Sequence, residues 1–173
     1  FYVRGSVHAI LAAERLVLNT MQRMSGIATT TSRVVDLLKG TGTQVLDTRK
    51  TTPGMRYLEK MAVKTGGGVN HRFGLYDTIL IKDNHIDYAG GIAQAIQAAH
   101  RYLQEQGLHI PIVIEVRNLI ELDEVIATGG IDRILLDNFN YDQLKEAVML
   151  INGKFITEAS GNITPENVLK HAE

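Results

Sequence analysis

Short runs of aliphatic and β-branched residues alternate with helical stretches through most of this 173-residue chain, and that alternation constrains the fold more than any other feature. Residues 44–46, 78–81, 112–116, 133–136 and 155–157 read as strands. Between them, residues 88–106 read as a helix stopped by Gly107, and residues 119–127 as one stopped by Gly129-Gly130. Thr164-Pro165-Glu166 supplies the N-cap and first turn of a last helix. Ahead of this series, Ile10, Leu11, Leu18, Met21, Ile27, Val34, Val35 and Leu38 fall at helical spacing, with Gly40 as a stop. They predict one long helix, or two, over residues 6–39. Strands separated by helices pair in parallel, and Ile79-Leu80-Ile81 and Ile134-Leu135-Leu136 are apolar on both faces. The expected class is α/β, a parallel sheet covered by helices. A barrel and an open sheet both fit the pattern, and five strands fall short of the eight of a complete barrel.

Composition removes several function classes. A net charge of −1 excludes a generally basic nucleic-acid coat, and no apolar run approaches the ~20 residues of a membrane span, so neither nucleic acid nor membrane is expected as a partner. With no cysteine there is neither a disulfide nor a thiolate metal site, so nothing argues for an oxidising compartment and a reduced cytoplasm is the simplest expectation. The chain is expected to be one domain, residues 1–173, cut from a longer protein: it starts on Phe1 without a signal-peptide pattern and stops at a helix where another strand is due. Charge is unevenly spread. Residues 49–82 carry seven Lys or Arg against Glu59 and Asp77, whereas residues 83–173 carry fourteen acids against six Lys or Arg. An anionic ligand accompanied by a metal ion suits a cationic segment followed by an acidic one.

In parallel β/α folds the carboxyl ends of strands carry the site. Every strand here ends in polar groups: Asp47-Thr48-Arg49-Lys50-Thr51-Thr52, Lys82-Asp83-Asn84-His85, Glu115, Asp137-Asn138, and residues 158–161. Polar loop ends are ordinary for any single strand; five in series are less so. Arg49, Lys50 and Lys82 suit polyanions, while Glu115 and Asp137, each flanked by apolar residues, suit Mg²⁺ and sugar hydroxyls, or ordinary strand-end ion pairs. Gly66-Gly67-Gly68 before His71-Arg72 lets backbone approach an anion, or simply ends a helix over residues 60–65. Ser160-Gly161-Asn162 offers backbone N–H groups to a phosphate. The histidines lack His-Glu-x-x-His spacing, so zinc is not expected, and His8, His100, His109 and His171 read as surface residues.

Taken in order, Ser25-Gly26-Ile27-Ala28-Thr29, the stretch Asp47 to Gly54, Gly66-Gly67-Gly68 with His71-Arg72, Lys82-Asp83-Asn84-His85 and Leu136-Asp137-Asn138 resemble the quinolinate phosphoribosyltransferase family. The resemblance implies an irregular, incomplete parallel β/α barrel of the type II phosphoribosyltransferases, with an N-terminal α/β domain and a final barrel segment outside this sequence. It implies transfer of a phosphoribosyl group from phosphoribosyl pyrophosphate to quinolinate, with Mg²⁺ and loss of CO₂, giving nicotinate mononucleotide for NAD synthesis in a homodimer or larger assembly. Carried over by motif, Arg49, His71, Arg72 and Lys82 contact quinolinate, Lys50 acts on pyrophosphate, Glu115 and Asp137 are the ribose and metal acids, and Ser160 and Gly161 form the 5-phosphate loop. Arg15 matches the arginine lent across the dimer to a neighbour's site. One departure stands out: Val113-Ile114-Glu115-Val116-Arg117 keeps one inward acid where the family often repeats glutamate, and Arg117 stands where an acid is common. The nearest alternative on the same fold is a paralogue associated with molybdenum transport, and the complete Arg49-Lys50 and His71-Arg72 sets favour the transferase. A barrel aldolase with Lys82 as Schiff base and a non-catalytic anion-binding module are alternatives of other classes.

Overall fold

A computed structural model describes residues 2–172; Phe1 and Glu173 lie outside the described residues. The chain divides into two compact units, residues 1–71 and 72–173.

The first unit pairs a long helix, α1 (Val7–Leu37), with a short one, α2 (Arg56–Thr65). The one or two helices expected over residues 6–39 are therefore a single helix, Val7–Leu37. At the end of α2, a Cβ on Gly66 would meet the backbone of Ala28 and lie 2.8 Å from Thr31 Cβ, and one on Gly68 would lie 2.8 Å from Val63. These two glycines let the chain pass against α1. The glycine triplet thus serves helix termination and packing here, the plainer of its two sequence readings. The expected strand at 44–46 is reduced to a single bridge. Val69 N–H donates to Val45 O (2.8 Å) and Asp47 N–H to Val69 O (3.1 Å), forming the isolated Leu46–Val69 pair. Pairing stops there because Asp47 turns its carboxylate onto Lys60 and the His71 backbone.

The second unit is a four-stranded parallel sheet in the order β1 (Ile79–Ile81), β2 (Ile112–Val116), β3 (Arg133–Asp137), β4 (Ile156–Ser160). The helices are α3 (Asp83–Ala89), α4 (Ile92–Gln106), α5 (Leu119–Thr128), α6 (Tyr141–Ile151) and α7 (Val168–Ala172). The single helix expected over residues 88–106 begins later, at Ile92, because Gly90-Gly91 interrupts it. Helix α6 carries its own signals, an Asn140–Gln143 capping box and a left-handed Asn152 at the far end.

Strand parity decides what each residue faces. Ile81, Ile112, Ile114, Val116, Ile134 and Leu136 are at most 3% exposed and pack under the helices. Helix α4 answers with Ile92, Ala95, Ile96 and Ala99 at positions i, i+3, i+4 and i+7. Burying each large aliphatic side chain contributes about 1.5–3 kcal/mol, so this layer is a main favourable contribution to holding the sheet against its helices. The alternate residues, including Glu115, Arg133, Asp137 and Ser160, point to the opposite face.

Candidate active site

In the second unit, the charged face is built in rows by register. Glu115 pairs with Leu135 and Leu135 with Glu158; Asp137 lies one pleat repeat further along and pairs with Ser160. Lys82, immediately beyond β1, donates from Nζ to Glu115 Oε2 at 3.0 Å. Its backbone N–H donates to His85 Nδ1 at 3.0 Å in a capping box that starts α3. Ser160 Oγ donates to Asp137 Oδ1 at 2.6 Å and Asn138 Nδ2 to Asp137 Oδ2 at 2.8 Å. Arg133 and Glu158 form an ion pair on the same face. The structure therefore brings Lys82 to Glu115 and Ser160 to Asp137, while the two carboxylates keep separate partners. Arg117 is taken up by Glu121 (2.8 Å from Nε) and Asp87 (3.6 Å), which leaves Glu115 as the acid of β2.

Gly161 closes this end of the sheet at φ +96°, with an imagined Cβ overlapping the Asn138 amide and only 3.0 Å from its Cα. Asn138 itself has φ +57° and donates its backbone N–H to Ser160 O (2.8 Å). Motif reasoning named Ser160 and Gly161 but gave Asn138 no role, although asparagine is a residue that tolerates the left-handed region. Arg72, half-buried, donates to Thr78 O at 3.4 Å.

In the first unit, Lys60 and Asp47 form a buried ion pair, with side chains 1% and 6% exposed. Lys60 also donates to His71 O (3.0 Å), and His71 N–H donates to Asp47 Oδ1 (2.9 Å). Motif reasoning gave neither member a role. Arg49 is half-buried and its carbonyl accepts from Arg56 (3.3 Å), while Lys50 is exposed. Glu59 accepts from Arg23 Nε (2.7 Å) and from Thr52 N–H (3.2 Å). Burial pushes the Glu59 carboxyl up, but the Arg23 and Thr52 hydrogen bonds and the Arg23 charge outweigh it and hold the group below the usual glutamate range. Arg15 stands apart on α1, its side chain 82% exposed and its guanidinium 3.9 Å from Glu14.

Mg²⁺ keeps several waters and accepts one or two protein carboxylates together with substrate phosphate oxygens. Glu115 and Asp137, two hard oxygen donors on neighbouring strands and one sheet face, fit that donor set. No group of three or more His, Asp or Glu placed to hold a metal without substrate occurs among the described residues.

Fold and site define a parallel β/α unit that gathers cations and carboxylates at the carboxyl ends of its strands. The family model "Quinolinate phosphoribosyl transferase, C-terminal domain" matches residues 27–173, and the chain belongs to that family. It is 47% identical over 182 residues to the chloroplastic nicotinate-nucleotide pyrophosphorylase [carboxylating] of Arabidopsis thaliana, covering 97% of this chain and 52% of that protein. It is 46% identical to the probable enzyme of the same name from Bacillus subtilis (strain 168), covering 96% of this chain and 56% of that one. Among solved structures, NadC from Streptococcus pyogenes matches at a TM-score of 0.88 and 42% identity, over 96% of this chain and 57% of that chain. The nicotinate-nucleotide pyrophosphorylase from Francisella tularensis matches at 0.88 and 44%, with the same coverage. The expected α/β fold of the type II phosphoribosyltransferases is thereby shown. The chain spans about half the length of the curated relatives it matches.

Proposed function

We propose that the protein containing this chain transfers a phosphoribosyl group from phosphoribosyl pyrophosphate to quinolinate with loss of CO₂, forming nicotinate mononucleotide and pyrophosphate in NAD synthesis. The observation that carries this reading is the single sheet face holding Lys82, Glu115, Asp137 and Ser160, in a chain of this family. Arg49, His71, Arg72 and Lys82 are assigned to the two quinolinate carboxylates, arginine supplying bidentate contacts that lysine cannot. Lys50 is assigned to pyrophosphate, and Ser160 and Gly161 to the 5-phosphate. A bond forms from the ring nitrogen to the anomeric carbon as the bond to pyrophosphate oxygen breaks. Glu115 and Asp137 stabilise the positive charge that develops on the sugar. The carbon–carbon bond to the adjacent carboxylate then breaks, its electron pair passes into the pyridinium, CO₂ leaves and a proton replaces it.

Mg²⁺, held by Glu115 and Asp137, would neutralise charge on the departing pyrophosphate. Arg15 is assigned to a neighbouring protomer's site in a homodimer or larger assembly. Its exposure supports this, as does that of Leu11 (65%) and Leu16 (74%) on the same helix. No described helix is long and apolar enough to cross a membrane. The cytoplasm is the simplest compartment for a chain whose sequence offers no disulfide, while relatives of this chain carry chloroplastic or mitochondrial in their names. Lys82 Nζ is engaged by Glu115 Oε2 at 3.0 Å, which disfavours its use as a Schiff-base amine.

The test is mass-spectrometric detection of nicotinate mononucleotide from quinolinate, phosphoribosyl pyrophosphate and Mg²⁺, with the protein at the full length its gene encodes. Product from quinolinate but not from nicotinate, abolished by EDTA, is expected. A folded protein that gives none overturns the assignment.

A further inference from the structure

Helix α2 turns three side chains, Arg56, Glu59 and Lys60, onto the segment that carries Arg49 and Lys50. Positions i, i+3 and i+4 share one helix face, so a single rigid element addresses the whole segment. Arg56 donates to Thr51 Oγ1 (3.2 Å) and to Arg49 O (3.3 Å). Glu59 Oε2 accepts from Thr52 N–H (3.2 Å). Lys60 binds Asp47 at the start of the segment, and the same ammonium reaches His71 O at 3.0 Å. Asp47 Oδ1 in turn accepts from His71 N–H at 2.9 Å. With its amide oriented to satisfy both neighbours, Asn70 donates to Asp47 Oδ2 (2.8 Å) and to Lys60 O (3.0 Å).

We propose that the buried Lys60–Asp47 pair is a positioning device that holds the Arg49-Lys50 segment and His71 in fixed relation for anion binding; as anion recognition it rests on the function proposed above. Packing alone does not call for an ion pair here, since two apolar side chains of the same volume fill such a space at no greater cost. What the pair adds is direction. One ammonium and one carboxylate, both nearly closed to solvent, bond two backbone segments 24 residues apart in sequence and have no room to exchange partners with water. The contact of Lys60 with His71 is to the backbone oxygen. Its effect reaches the ligand through the backbone of Asp47 and His71, which lead in sequence into Arg49-Lys50 and Arg72, the cations assigned to pyrophosphate and quinolinate.

The experiment compares the full-length protein with Lys60→Met and with the double variant Lys60→Met/Asp47→Asn, which leaves no lone buried charge and so remains folded if the single variant does not. Hydrogen exchange read by mass spectrometry should accelerate by about tenfold or more in residues 47–52 and 69–71, with β2 and β3 unchanged. KM for quinolinate should rise by about 10–100-fold even where the double variant regains the parent's melting temperature. A role confined to stability would restore KM together with melting temperature. That result, or unchanged exchange in residues 47–52 and 69–71 of a folded variant, overturns the proposal. A parent that converts no quinolinate instead sinks the functional reading, while the exchange comparison still decides whether Lys60 orders the two segments.

Discussion

Gly161→Ala tests whether the loop after β4 is held by contact with Asn138 or only by its own backbone. Two costs follow from the structure. The position has φ +96°, where an alanine loses about 1–2 kcal/mol. The new Cβ would also lie 2.6 Å from Asn138 Cγ and 3.0 Å from its Cα, well inside the ~3.5–4.0 Å at which carbon atoms attract. Asn138 has little freedom to retreat. Its backbone N–H donates to Ser160 O (2.8 Å), its Nδ2 to Asp137 (2.8 Å), and its Oδ1 accepts from Asn162 (3.2 Å). Moving it gives up exposed hydrogen bonds worth about 0.5–1.5 kcal/mol each. The total is about 2–4 kcal/mol, which in a unit of about a hundred residues lowers the melting temperature by at least about 8 °C. Thermal denaturation followed by circular dichroism measures it, and KM for phosphoribosyl pyrophosphate should rise in parallel. Asn138→Gly in the same molecule removes the side-chain overlap together with the two side-chain hydrogen bonds already counted as lost, so the double variant should cost about 1–2 kcal/mol less than the sum of the two single variants. A fall below about 2 °C for Gly161→Ala, or full additivity of the two losses in the double variant, refutes the reasoning.

Because Glu59 has its pKa lowered in the folded state, the unfolded chain binds more protons near pH 4.5, and stability from this group is complete above that value and lost as pH falls through the folded one. Glu59→Gln should therefore flatten the melting-temperature profile between pH 5 and pH 3; parallel profiles would contradict the assignment. Ile114, fully buried, should cost about 2–5 kcal/mol as alanine by urea denaturation, whereas Tyr88→Ala, at a position 91% exposed, should stay within about 0.5 kcal/mol. Lys82→Met should lower kcat/KM by about a hundredfold or more. Added to Glu115→Gln it should cost less than the sum, because the two share a contact, while with Asp137→Asn the losses should add.

Much of the second unit was legible because each strand is bounded by residues with one dominant use. Ile112–Val116 was read at its observed limits, and β1 and β3 came within one residue of theirs. β4 was placed but read three residues short, because Glu158, Ala159 and Ser160 lack the aliphatic signature of a strand. Helix α6 went unread despite an asparagine cap at either end, and α4 was read as starting too early across Gly90-Gly91. The 44–46 run failed for a different reason. Its β-propensity is real, but the Lys60–Asp47 pair that ends its pairing after one bridge joins residues whose proximity no local pattern encodes.

The candidate site was half legible for a related reason. Strand ends reveal which charges stand at one end of a parallel sheet, because all the strands run the same way. They do not reveal register. Glu115 aligns with Leu135, so Asp137 stands a further two residues along the neighbouring strand, roughly 6–7 Å in extended chain. That offset is why Lys82 contacts Glu115 while Asp137 turns to Ser160 and Asn138. Two acids that read as an equivalent pair in the sequence occupy different settings, one against a lysine ammonium and one among neutral hydroxyl and amide donors. The different settings of Glu115 and Asp137 thus follow from a two-residue register offset combined with strand parity.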